Sequence, residues 1–234
     1  MGNLRFRAVL FDMDGTLVHT APDIAAALNA ALYNNGIGAI DPARIADLVG
    51  KGARVLVRRA LTEHGRGEDE RLAAAVFDDY LHEYAARIGR NGSAFPGAAA
   101  CLRDLRARGL KLGVVTNALQ RFADATLAHY GLARYLNIVI GGDRTAAPKP
   151  HPASLLFAFR TLRVTAKETL MVGDSSNDVA AARAAGCSVI CVPHGYNEGR
   201  HVAELDCEMI ATLGEVETWL DDSSSPRRLP SSAA

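Results

Sequence analysis

The feature of this sequence that most constrains its fold is an alternation of short apolar runs with stretches of helical periodicity. Five runs have the length and composition of buried β-strands: 8–11, 111–116, 138–140, 169–172 and 188–192. Four helical stretches accompany the later runs: 96–108, 120–130, 152–162 and 177–185. This alternation is typical of proteins in which helices connect parallel strands. The sequence therefore predicts an α/β protein with a mostly parallel sheet.

Residues 17–92 interrupt the alternation. They contain no convincing strand pattern, only Ala-rich helical patterns with breaks at 34–36, 50–52 and 65–67. The segment 20–23 is typical of a capping box that opens the first helix. We expect a helical cap at residues 18–92, inserted into a core of residues 1–17 and 93–221. The Ser- and Pro-rich tail, residues 222–234, is expected to be disordered.

The bulk composition excludes several classes of partner. The 26 Lys and Arg residues balance the 26 Asp and Glu residues, so no net field attracts nucleic acid or an anionic membrane. No apolar run approaches the roughly 20 residues that span a bilayer, and the run at 8–11 is too short for a secretory signal. These patterns indicate a cytoplasmic protein.

The four cysteines show no metal-binding pattern. They form no Cys-x-x-Cys pair, and no histidine lies at a zinc-ligand spacing from them. We therefore expect reduced and mostly buried thiols. The residues are Cys101, Cys187, Cys191 and Cys207.

The strongest chemical motif is Asp12-Met13-Asp14-Gly15-Thr16, which directly follows the first apolar run. In an extended segment, residues two apart face the same side, so Asp12 and Asp14 point into one site. Such a pair can be a nucleophile beside a general acid/base, with a cation between the negative groups. Asp also favours turns and helix caps. Taken alone, the pair fits either interpretation.

Polar residues also follow the later strand runs. Thr116 and Asn117 could form an anion site or a helix cap. Lys149 lies between two prolines, which hold its loop rigid and favour a placed charge over a solvated lysine. Asp174 ends the fourth run and is suited to bind a metal, whereas Asp178 could also favour a helix dipole. Because the carboxyl ends of parallel strands meet at one edge, these residues are expected to converge.

These four motifs, in this order, resemble those of the haloacid dehalogenase-like phosphatase superfamily, and the resemblance spans residues 8 to about 200. It implies a Rossmann-like core with an inserted cap, Asp12 as the nucleophile and Asp14 as the general acid/base. It further implies phosphate contacts from Thr116, Asn117 and Lys149, and Mg²⁺ bound by Asp12, the Asp14 carbonyl and Asp174. Asp178 would contact the metal indirectly, either through a bound water or through one of the direct ligands.

A charge count agrees with this implied cofactor. Asp12, Asp174 and a phosphate monoester dianion together carry about −4 when all are ionised. One Mg²⁺ and Lys149 would bring the sum to about −1, which hydrogen bonds can accommodate. Mg²⁺ prefers oxygen ligands, and the motifs supply no soft ligand for zinc or copper.

Further segments, at 11–18, 21–23, 49–53, 141–143 and 194–197, resemble the bacterial phosphoglycolate phosphatases. That resemblance implies a small anionic substrate, 2-phosphoglycolate, covered by the cap. Lys51, between two glycines, is the candidate for its carboxylate; a solvated lysine on a turn is the alternative. The sequence departs from the pattern at His19, Thr20 and Ala118, which leaves the substrate open.

Other functions remain possible within this resemblance. The main alternative is a phosphatase of a sugar phosphate or of pyrophosphate. A sugar-phosphate mutase and a non-catalytic phosphate-binding protein are less favoured, the latter because no motif residue is lost. A haloacid dehalogenase would lack Asp14. The sequence makes no prediction of the oligomeric state.

Overall fold

The computed structural model describes residues 5–224 of the chain. In this range the strands are β1 (Ala8–Phe11), β2 (Val18–His19), β3 (Ser93–Ala94), β4 (Lys111–Val115), β5 (Ile138–Ile140), β6 (Thr169–Gly173), β7 (Ser188–Cys191) and β8 (Glu208–Met209). The α-helices are α1 (Ala21–Asn34), α2 (Pro42–Leu48), α3 (Ala53–Glu63), α4 (Glu70–Ala85), α5 (Ala98–Ala107), α6 (Gln120–His129), α7 (Ala153–Leu162), α8 (Ser176–Ala185) and α9 (Val216–Ser224).

Six strands form one sheet in the order β5-β4-β1-β6-β7-β8, with every neighbouring pair parallel. Strand β1 lies in the middle, hydrogen-bonded to both β4 and β6, and all four of its residues are buried. The predicted α/β fold is confirmed, and all five predicted strands are present within one residue at each end. Strand β8 was not predicted, because its two exposed residues carry no apolar signal.

The sheet is packed on both faces. Val9 and Phe11 face a cluster that includes residues of α5, α6 and α9, whereas Ala8 and Leu10 face residues of α7 and α8. This alternation follows the two-residue period of a strand. Burying each large apolar side chain contributes roughly 1.5–3 kcal/mol, so the continuous apolar run of β1 stabilises the centre of a three-layer structure.

Helices α1 to α4 (residues 21–85, here called the helical insertion) form a separate apolar cluster, in which α1 packs on α4. The breaks between these helices lie where the glycine-containing segments predicted them. The expectation that residues 17–92 lack a strand was wrong, because β2 pairs antiparallel with β3. This two-residue ribbon carries the chain out of the sheet and back, and it is too short to leave a periodic signal.

The predicted capping box at 20–23 was also wrong. Thr20 is the N-cap of α1 but makes no side-chain capping bond. The Asp23 carboxylate instead accepts hydrogen bonds from the main-chain N–H groups of Gly89 (2.8 Å) and Asn91 (2.7 Å). These bonds tie the start of α1 to the segment that returns to the sheet, a long-range partner that local spacing does not reveal.

At the C-terminus, α9 includes residues 222–224, which the sequence assigned to the disordered tail. The remainder of that predicted tail, 225–234, lies outside the described residues. Cys101, Cys187 and Cys191 are buried, Cys207 is partly buried, and all four are free thiols, as expected. None of the described helices is both long and apolar enough to cross a membrane.

Candidate active site

The site lies where β1 and β6 end. Asp12 follows β1 directly, and Asp174 follows β6. Gly15 turns the chain away from the sheet with φ +88°, and a Cβ atom at this position would lie 2.5 Å from Asp174 Oδ2. Only glycine allows both this backbone conformation and the close approach. The turn therefore sets the Asp12 to Asp14 segment against the neighbouring strand end.

Asp12 is held through one carboxylate oxygen. Its Oδ1 accepts hydrogen bonds from the Met13 main-chain N–H (2.7 Å) and from Lys149 Nζ (2.9 Å). Within the described chain, Oδ2 accepts no hydrogen bond. Burial raises the pKa of Asp12 to about 7, with Lys149 opposing the shift and the carboxylates of Asp178 and Asp14 adding to it. These hydrogen bonds therefore fix the orientation of the Asp12 carboxylate and leave Oδ2 without a donor.

Lys149 lies at the centre of the site. Its side chain is 2% exposed, and Nζ bridges Asp12 Oδ1 and Asp178 Oδ1, the latter at 2.7 Å. Burial by itself would lower the pKa of Lys149, but the two carboxylates outweigh it and hold the pKa above its ordinary value. The lysine therefore remains a cation at neutral pH.

The loop that carries Lys149 is fixed by Asn117. Asn117 Oδ1 accepts the Lys149 N–H (2.8 Å), and Asn117 Nδ2 donates to the carbonyls of Lys149 and Gly50, both at 2.8 Å. Because these bonds occupy the amide, a phosphate contact from Asn117 would have to come from its main-chain N–H. The neighbouring Thr116 is buried, and its hydroxyl accepts the Ala118 N–H at 3.1 Å.

Asp174 is clamped on both oxygens. Oδ1 accepts the Thr16 hydroxyl (2.6 Å), and Oδ2 accepts the Tyr196 main-chain N–H (2.6 Å). Burial raises the pKa of Asp174 well above its ordinary value, and repulsion by Asp12 and Asp178 adds to the shift. The carboxylate is held in place but lacks the positive charge that would favour its ionised form.

Asp178 is the third residue of helix α8 and forms a capping box with Ser175, the N-cap residue. Its Oδ2 accepts the Ser175 hydroxyl (2.7 Å) and N–H (3.1 Å), while Oδ1 accepts Lys149 Nζ. The residue is fully buried. Since both oxygens have donors, Asp178 orients the lysine and helps to start the helix in this structure.

The carboxylates form a metal-compatible cluster. One oxygen each from Asp12, Asp174 and Asp178 lie within 4.8 Å of one another. The set offers only hard oxygen donors. Burial raises the pKa values of Asp12 and Asp174, and repulsion among the carboxylates adds to both shifts, so a bound cation would favour the ionised forms. The residues therefore fit a hard divalent cation.

Asp14 lies near the start of the helical insertion and lines the same cleft as Asp12 and Asp174. Its Oδ1 accepts the Thr20 hydroxyl at 2.7 Å. Burial raises the pKa of Asp14, opposed by the Thr20 hydrogen bond and by Lys149. A carboxyl group with a raised pKa in a cleft is suited to exchange protons near neutral pH.

A pocket opens above these carboxylates, with a cavity volume of about 50 Å³. One water needs about 10–15 Å³ on this scale, so the pocket suits a small ligand. Its floor is polar and includes Asp12, Asp14 and Asp174. The wall from the helical insertion is mostly apolar and consists of Ile24, Val49, Gly50, Gly52, Ala53, Leu56, Tyr80 and Tyr84.

Lys51 lies apart from the pocket lining. Its Nζ is 3.2 Å from Glu198 Oε2, which also accepts Arg59 Nη2 at 2.8 Å. Glu198 belongs to the loop after β7, so this ion-pair group joins the helical insertion to the sheet. In this conformation, the prediction that Lys51 meets a substrate carboxylate would require the ion pair to break.

Sequence reasoning missed several residues that organise the site. Thr16 was part of the Asp12 to Thr16 motif, so a polar role could have been assigned from that motif. Tyr196 lay in a segment that carried the resemblance, but without a role, and Thr20 was assigned to a capping box rather than to Asp14. Glu198 and Tyr80 gave no local signal, because their positions depend on contacts between distant segments.

With this geometry in place, the class of protein follows from comparison with known families. A model of the haloacid dehalogenase-like hydrolases matches residues 6–186, a range that contains all four motifs. The chain belongs to the haloacid dehalogenase-like hydrolase family.

Individual relatives narrow the class further. A phosphoglycolate phosphatase of Nitrosospira multiformis is 42% identical over 223 residues, which cover 94% of this chain and 98% of the relative. A phosphoglycolate phosphatase of Yersinia pseudotuberculosis is 42% identical over 197 residues, 84% of this chain and 85% of the relative. The crystal structure of a predicted phosphoglycolate phosphatase from Haemophilus somnus superimposes with a TM-score of 0.88 at 27% identity, covering 93% and 99% of the two chains. The chain is a phosphatase of this family.

Proposed function

We propose that the protein hydrolyses 2-phosphoglycolate with Mg²⁺, through an aspartyl-phosphate formed on Asp12. The observation that carries this proposal is the convergence of Asp12, Asp174 and Lys149, with Asp14 lining the same pocket. The substrate is supported by the relatives of more than 40% identity that carry the name phosphoglycolate phosphatase.

In the first step, an oxygen of Asp12 attacks phosphorus and the bond from phosphorus to the ester oxygen breaks. Asp14 donates its proton to the departing alkoxide, which leaves as glycolate. In the second step, water attacks the same phosphorus, Asp14 takes its proton, and the Asp12 carboxylate is released with inorganic phosphate. The raised pKa of Asp14 suits both proton transfers.

Charge neutralisation is the main task of the remaining residues. Lys149 would neutralise a phosphate oxygen and Asp12, while the Thr116 hydroxyl and the Asn117 main-chain N–H would bind further phosphate oxygens. Mg²⁺ would be held by Asp12, the Asp14 carbonyl and Asp174. Asp178 would contact it indirectly. When bound, it would supply positive charge to the phosphoryl oxygens and lower the pKa of the carboxylates.

The helical insertion is proposed to act as a cap. In this division, residues 18–92 form the cap and residues 93–221 join the N-terminal strand in the core. Its apolar cluster includes Phe122 and Tyr196 from the sheet-bearing part, so the two parts pack together over the pocket. Such a cover would exclude bulk water and strengthen the electrostatic contacts beneath it.

The test is hydrolysis of a panel of phosphate esters by the purified protein. We expect Mg²⁺-dependent release of phosphate from 2-phosphoglycolate at a higher kcat/KM than from glucose 6-phosphate or pyrophosphate. Removal of the metal with EDTA should abolish turnover, and added Mg²⁺ should restore it. Similar turnover of many unrelated esters would refute the substrate, and turnover in EDTA would refute the metal requirement.

A further inference from the structure

The hydroxyl of Tyr80 offers the pocket a polar group that the proposed mechanism does not use. Tyr80 lies on α4, is 3% exposed and lines the same pocket as the carboxylates. Its ring stacks on Tyr84, with centroids 5.6 Å apart, which fixes its orientation. The hydroxyl forms no hydrogen bond to any residue that the structure describes. The hydroxyl stays accessible from the pocket on a side chain that is otherwise buried, so it is free to donate to a ligand there.

A second donor group lies in the same wall. Helix α3 begins at Ala53, its N-cap is Gly52, and no side chain caps it. The first N–H groups of a helix have no acceptor within the helix and carry partial positive charge. Gly52 and Ala53 both line the pocket. A Cβ on Gly52 would lie 3.0 Å from the Asn117 carbonyl, so this helix end closely approaches the phosphate side of the site.

We infer that the Tyr80 hydroxyl and the N-terminus of α3 together bind the carboxylate of the substrate and select for it. This inference rests on the proposed function. The leaving group departs toward Asp14, and Asp14 and Tyr80 line the same pocket. Burial, with a smaller contribution from the Asp14 charge, raises the pKa of Tyr80. The phenol therefore stays protonated and can donate to an anion at neutral pH.

The composition of the wall favours these two donors over a charged side chain. Among the described residues that line the pocket from the helical insertion, none is Lys, Arg or His. The Lys51 ammonium is engaged by Glu198 outside the lining. A carboxylate that enters this wall would therefore meet the hydroxyl of Tyr80 and the main-chain N–H groups of α3.

The test compares Tyr80→Phe with the wild type on two esters. 2-Phosphoglycolate carries the carboxylate, and ethyl phosphate replaces it with a methyl group. Loss of one hydrogen bond to a charged group should lower the ratio of the two kcat/KM values, 2-phosphoglycolate over ethyl phosphate, roughly 10-fold or more. Most of the change should be an increase in KM for 2-phosphoglycolate. The control is Tyr33→Phe, which removes the same hydroxyl from an 81% exposed side chain of α1.

A second variant tests the helix end. Ala53→Pro removes the first N–H of α3 at a position where proline suits the helix, and it should lower the same ratio. If Tyr80→Phe keeps the wild-type ratio, or loses activity equally on both esters, the subsite is refuted while the proposed function stands. If the wild type itself shows no preference for 2-phosphoglycolate, the proposed substrate fails, and the carboxylate subsite fails with it.

Discussion

Lys149 and Lys51 both lie in loops that interrupt regular structure, and the sequence assigned both to the substrate. The structure gives them different surroundings. Lys149 is buried between Asp12 and Asp178, in a loop fixed by Asn117. Lys51 has a side chain 42% exposed and joins Glu198 across the boundary between the helical insertion and the sheet. The first lysine belongs to a rigid charged centre, and the second to a contact that holds two parts of the chain together.

This difference shows how the two regions divide the work. At the edge of the sheet, buried charges neutralise one another and any loss leaves an uncompensated group. Around the loop that carries Lys51, the ion pairs are partly solvated and individually weak. Substitutions should therefore have large effects in the first region and small effects in the second.

The largest effect is expected from Asp12→Asn. An amide cannot attack phosphorus effectively, so kcat should fall by roughly four orders of magnitude or more. Phosphate release by purified protein would measure it, and a thermal melt would check that the fold is retained. Activity above about 1% of the wild-type value would contradict the assignment of Asp12 as nucleophile.

Lys149→Met should lower kcat/KM by a factor on the order of 10²–10³, because it removes a buried positive charge from the transferring phosphoryl group. It should also lower the free energy of unfolding in the absence of metal by about 3–5 kcal/mol, since Asp12 and Asp178 lose their common partner. Urea denaturation and steady-state kinetics measure the two effects. A change below threefold in kcat/KM would contradict the catalytic role assigned to Lys149.

Glu198→Gln should weaken the contact between the insertion and the sheet by about 0.5–1 kcal/mol. This corresponds to a rise in KM of roughly two- to fivefold if closure assists binding. Burial opposes ionisation of Glu198, but hydrogen bonds from Arg59 and Lys51 outweigh it and lower its pKa below the ordinary 4.5.

The direction of the pH dependence follows from that lowered pKa. The stabilisation by Glu198 is present above pH 4.5 and is lost as the pH falls through the lower, folded-state value. The difference in unfolding free energy between wild type and Glu198→Gln should therefore shrink toward zero as the pH is lowered below 4.5 and through the folded-state pKa. A difference that grows on acidification would contradict the ion-pair interpretation.

The smallest effect is expected from Lys51→Met. Because Arg59 also holds Glu198, KM for 2-phosphoglycolate should change less than about threefold. An increase of tenfold or more, confined to the carboxylate-bearing ester, would show instead that Lys51 turns inward during catalysis and binds the substrate. In that case both Lys149 and Lys51 would bind the substrate, and the difference in function between the two lysines would not hold.

Much of this architecture was predictable from local pattern. The apolar run at Ala8–Phe11 predicted a buried strand, and Asp12 and Asp14 after it predicted a polar edge. The four motifs then predicted which strand ends meet. In contrast, Thr20 was assigned to a helix cap, and its hydroxyl instead contacts Asp14. A Thr three residues before an Asp is compatible with a helix cap and equally with a hydroxyl that orients a nearby carboxylate. Only the packing of the turn distinguishes the two roles.

The sequence by itself determined the α/β class, the inserted helices and the acidic and basic residues at the strand ends, because periodicity and motif spacing are local properties of the chain. The tertiary structure alone decided that Lys51 pairs with Glu198, that Asn117 holds the Lys149 loop, and that Tyr80 presents a free hydroxyl to the pocket. Those arrangements depend on how the insertion packs against the sheet. The free energy of that packing comes from contacts between segments far apart in the chain.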